Sequence, residues 1–185
     1  MWSRNAASSI AYRCVQQPWC LVIVVPREAT YHATADMVSL PAPKATGPLR
    51  GVERYHDARS GVLLAIVVRD DFVGGQYNFL TPDDFPMQLG VSQYESGQVI
   101  QPHLHVDTNR DVSQTQEFIY VKRGRVRLHL YASDRVLVAQ VELRDGDCVL
   151  LANGGHGFDV LEGTQMIEAK QGPYLGVGDK IRFEP

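Results

Sequence analysis

From about residue 51 onward the chain alternates in twos. In "GRVRLHLY", residues 124–131, Val126, Leu128 and Leu130 fall on one side, and Arg125, Arg127 and His129 on the other. That is the period of a strand with one buried face. The pattern continues in "RVLVAQVEL", residues 135–143, across the short turn "ASD", which predicts a hairpin. "MQLGVSQY", residues 87–94, alternates as well, with Leu89, Val91 and Gln93 on one face. Two runs, "GVLLAIVVR" (61–69) and "CVLL" (148–151), are short and continuously apolar, as buried strands can be. "EFIYVKRG" (117–124) sets Glu117, Ile119 and Val121 on a common side, and "TQMIEAKQ" (164–171) completes the set. "TPDDF" (81–85) predicts one helical turn, with Thr81 as cap, Pro82 at the first position and Asp83 and Asp84 behind it. No segment carries a long amphipathic helix. Many short strands punctuated by glycine predict an all-β antiparallel sandwich or small barrel.

Residues 1–50 read differently. They hold Pro18, Pro26, Pro41, Pro43 and Pro48, which suits an N-terminal arm or linker better than a helix. The domain is then expected over residues 51–185. Within the arm, "WCLVIVV" (19–25) is a candidate strand and is far too short to span a bilayer. A length of 185 residues fits one domain with a real core. The net charge of -3, with no block of Lys and Arg, argues against non-specific nucleic-acid binding, which phosphate neutralisation drives. Arg4 and Arg13 interrupt the apolar stretch a signal peptide needs. Cys14, Cys20 and Cys148 show no metal-type spacing, so free thiols and a cytoplasmic location are expected. Cys148 reads as a small core residue.

Candidate chemistry concentrates in "GQVIQPHLHVDTNRDVSQTQEFIYVKRG", residues 97–124. On a strand, His103 and His105 project to one side, with Gln101 beside them. Glu117 shares the face of Ile119 and Val121, where an inward carboxylate is costly unless paired or bound to metal. His156 follows in the glycine-rich "NGGHGFDV". Two or three imidazoles and a carboxylate suit one divalent first-row ion, Fe(II), Mn, Ni, Co or Zn. Against this, a lone histidine is usually structural, and an H-x-H pair alone is weak. His129 alternates with an apolar face and should point outward; His32 and His56 have no partner pattern.

These residues resemble the two motifs of the cupin superfamily. The first runs G-x5-H-x-H-x(3,4)-E-x6-G, and here Gly97, His103, His105, Glu117 and Gly124 fit it, with eleven residues between the second histidine and the glutamate. The second runs G-x5-P-x-G-x2-H-x3-N. Gly146 and Gly154 fit; Ala152 replaces the proline, His156 comes one residue early and Val160 replaces the asparagine. The tail "MIEAKQGPYLGVGDKIRFE" also looks like that of a group of small single-domain cupins.

The resemblance implies a double-stranded β-helix, or jelly-roll barrel, and one metal ion on His103, His105, Glu117 and His156. It also implies a homodimer and a small-molecule substrate. Dioxygenases, isomerases, epimerases and lyases all occur among cupins, and so does a metal-free sugar-nucleotide isomerase; fold does not choose among them. A non-catalytic sugar or acid sensor and a storage protein with a vestigial site are the non-enzyme alternatives. Gln101, Arg110, Lys170 and Tyr174 are candidate substrate contacts, and the inserted loop, residues 106–116, is expected to cover the barrel mouth.

Overall fold

The computed structural model describes residues 49–184. The expected arm up to residue 48, with its "WCLVIVV" strand, lies outside the described residues. Ten strands follow: β1 (Arg50–His56), β2 (Leu63–Val73), β3 (Tyr77–Phe79), β4 (Gly90–Ser92), β5 (Glu117–Arg123), β6 (Arg125–Tyr131), β7 (Leu137–Arg144), β8 (Cys148–Leu151), β9 (Gly155–Val160) and β10 (Gln165–Lys170). A short 3-10 turn, Gly176–Asp179, is the only helical element among the described residues. No helix there is long and apolar enough to cross a membrane.

The described residues are therefore all-β and antiparallel. One sheet has the order β1-β2-β8-β5-β10, a second β7-β6-β9, and β3-β4 form a small hairpin. Ala65, Val67, Ile119, Val121, Val149 and Leu151 of the five-stranded sheet pack against Val126, Leu128, Leu130, Val141 and Leu143 of the three-stranded one. The other face of the larger sheet, with Ile66, Val68 and Leu150, is covered by Leu80 and Leu89 around the hairpin. Strands β2 and β8 are thus buried on both faces, which is why "LLAIVV" and "CVLL" are continuously apolar. Strand β6 is covered on one face, and its alternation falls where the sequence places it. Among the described residues no ladder joins the two larger sheets into a closed barrel.

Three local expectations are corrected. Residues 81–85 form a single turn, with the Phe85 N–H donating to the Pro82 carbonyl at 3.2 Å. Thr81 does not cap a helix: its hydroxyl accepts the Leu89 N–H at 3.1 Å and donates to Gln88 at 2.8 Å, closing the base of the hairpin. Within residues 87–94 only β4 is a strand, although Leu89 and Val91 do reach the same apolar cluster. Arg135 belongs to the β6–β7 turn, with φ at 70°, and pairing starts at Leu137.

Candidate functional site

Glu117 opens β5 and points the way of Ile119 and Val121, into the space between the sheets; it is 8% exposed. His156 pairs with Leu130 across the β9–β6 ladder and so also faces inward. The chain reaches β9 from β8 through Asn153 and Gly154. The Asn153 side-chain amide donates to the Leu63 carbonyl at 2.9 Å. Gly154 has φ +73°, and a side chain there would run into the Tyr131 carbonyl, so glycine is required. The result is a contact of 3.1 Å between His156 Nε2 and Glu117 Oε2, across two sheets.

Lys170 is the cross-strand neighbour of Glu117 on β10. Its Nζ lies 3.8 Å from Glu117 Oε1 and 2.6 Å from Asp179 Oδ2. The hydrogen bond to Asp179 raises the ammonium's pKa, and the same bond lowers that of the Asp179 carboxyl. Burial pushes the His156 imidazole below its usual range; nearby Glu117 opposes this, while the charge of Lys180 adds to it.

Both residues line a cavity of about 880 Å³ that wraps the free edge of β9. Phe158 lines it from the inner face and Asp159 from the outer face, with residues 179–184 forming a further wall. On the outer face, His129 Nε2 sits 2.9 Å from Asp159 Oδ2, and the Gln140 side-chain amide is 3.1 Å from its Nδ1. His129 does point away from the core, as expected. The sequence does not single out His129, Lys180 or Arg182 as site residues, because their surroundings come from distant strands or from the folded-back tail.

The histidine pair is placed differently from the expectation. Residues 93–116 contain no strand, and every residue from 92 to 115 is exposed. Pro102 has no N–H to give a ladder at this point. The rings of His103 and His105 stand edge-on, 5.3 Å between centroids, and His103 Nδ1 lies 2.9 Å from the Gln101 carbonyl. Gln101 and Arg110 share this exposed stretch and do not line the cavity. Neither does Tyr174, whose ring lies 5.3 Å from Lys170 Nζ, nor Lys170 itself, which is engaged by Asp179.

The four candidate metal ligands thus come together two and two. Among the described residues no group of three or more His, Cys, Asp and Glu converges. A carboxylate and an imidazole 3.1 Å apart have the side-chain types of half a divalent-ion shell. A second half would have to come from the His103–His105 pair. Compared with protein families, curated proteins and solved structures, the chain matches none.

Proposed function

We propose that the protein is a metal-binding cupin that acts on a small oxygen-rich molecule, a carbohydrate derivative or an oxo- or hydroxy-acid. Dioxygenase, isomerase or epimerase, and lyase chemistry all fit such a site. The observation that carries the reading is the inward Glu117–His156 contact at the cavity. A core of this size does not need that pair, and burying a carboxylate costs stability unless something is gained from it.

In this reading Glu117 and His156 hold one divalent ion together with His103 and His105. Val99, Ile100, Leu104 and Val106 are large apolar residues left exposed around the histidines, Leu104 to 95%. Both β9 and β10 end their sheets with a free edge. Laying residues 99–106 along such an edge would close the barrel and set His103 and His105 on one face, towards Glu117, with Leu104 and Val106 on the other. A bound divalent ion supplies Lewis acidity towards substrate oxygens. Lys170 keeps the Glu117 carboxylate oriented, and the wall at residues 179–184 shields the cavity from water. The reading includes a cytoplasmic homodimer, with the free edges of β9 and β10 as the surfaces through which two copies would pair.

One observation favours a second reading, ligand binding without turnover. Both ring nitrogens of His129, the other cavity histidine, are engaged by Asp159 and Gln140, so it offers no free base.

Elemental analysis of protein purified without added metal tests the proposal. One ion per chain is expected, falling at least tenfold in a His103→Ala, His105→Ala double variant and in Glu117→Ala. Full occupancy in both variants would overturn the metal assignment. Turnover or oxygen consumption on a panel of such compounds separates the enzyme from the sensor.

A further inference from the structure

The cavity wall at residues 179–184 carries two basic side chains, Lys180 and Arg182. Neither has an ion pair or hydrogen bond among the described residues. The other charged groups of the lining are mostly spoken for. Glu117 meets His156, Asp159 meets His129 and Asp179 meets Lys170. Glu184, at the far end of the wall, is the one lining carboxylate without such a partner there.

The two cations do not sit on a loose tail. On one side Asp179 is tied to Lys170 at 2.6 Å. On the other, the Phe183 ring lies edge-on to Tyr131, 5.2 Å between centroids, with the Arg135 guanidinium 5.5 Å from its centre. Lys180 and Arg182 both line the cavity, two residues apart on this anchored wall.

We propose that Lys180 and Arg182 form the anion-recognition end of the cavity, binding a carboxylate or phosphate of the ligand whose other end reaches Glu117 and His156. A guanidinium fork beside an ammonium suits either oxyanion. The inference rests on the reading that the cavity is a ligand site and narrows it to small acids over neutral sugars. It does not depend on the metal.

The test is calorimetric titration of the full chain with oxalate, malate, citrate, inorganic phosphate and glucose, with metal content measured in parallel. At least one acid is expected to bind at least tenfold more tightly than glucose. The double variant Lys180→Gln, Arg182→Gln should weaken that acid at least tenfold while leaving metal content and the melting temperature of the free protein unchanged. Oxalate and malate against phosphate identify which oxyanion is read. Equal affinity in the variant, no preference over glucose, or no acid bound by the wild type would overturn the assignment. Acid binding through Lys180 and Arg182 in protein that holds no metal even after divalent ions are supplied keeps it and overturns the metal reading. Metal-loaded protein indifferent to the substitution does the reverse.

Discussion

Glu117 Oε2 and His156 Nε2 lie 3.1 Å apart, although β5 and β9 belong to different sheets. The contact joins the two sheets at one end, beside a half-closed space. Glu117→Gln keeps the shape and removes the charge. Metal content should fall at least tenfold, while the stability of metal-free protein changes by only about 1 kcal/mol, the net worth of one hydrogen bond. Urea unfolding of the metal-free form beside elemental analysis checks both. A large stability loss with metal retained would assign Glu117 to the fold alone.

Asp147 is fully buried at the other side of the core. Its carboxylate accepts from Arg69 Nη1 at 2.9 Å, from the Asp70 N–H at 3.0 Å and from the Arg144 N–H at 3.1 Å. Asp147→Ala leaves the Asp70 and Arg144 N–H groups without their acceptor, while Arg69 keeps Glu53 at 2.7 Å and the Glu142 carbonyl at 2.7 Å. A loss of about 1–3 kcal/mol is expected from leaving buried donors unsatisfied. The midpoint of urea denaturation is the measurement.

Gly154→Ala should damage the site through the backbone. It forces a side chain into the left-handed region and against the Tyr131 carbonyl. A cost of at least about 1 kcal/mol follows from the conformation alone. Because Gly154 delivers β9, ligand or metal binding should weaken more than in Gly157→Ala, where a side chain meets nothing within 4 Å.

Arg59 grips Asp134 with two hydrogen bonds, at 2.7 and 2.9 Å. Those bonds, with the Val136 N–H, hold the Asp134 carboxyl at a pKa of about 2, below its ordinary 3.8. A lowered carboxyl pKa stabilises the fold above the unfolded value, and that contribution is lost as pH falls through the folded one. The window is therefore about pH 4 down to 2. NMR titration of the carboxyl should show the low midpoint, and Arg59→Gln should return it towards 3.8.

Much of the fold was legible because burial on one face writes itself as a period of two. Val126, Leu128 and Leu130 are buried as their alternation predicts, and the inward turn of Glu117 follows from Ile119 and Val121 beside it. What local pattern could not decide is pairing. A strand exists only where a neighbour supplies its hydrogen bonds; residues 103–106 alternate, yet Pro102 lacks a donor and no described strand lies beside them, so they are irregular. The Glu117–His156 contact and the Arg69–Asp147 pair join residues far apart in the chain, and the Lys170–Asp179 bond needs the tail to fold back over β10. Only the stacking of one sheet on the other brings such groups within hydrogen-bond distance, because sequence spacing carries no information about which distant face a side chain will meet.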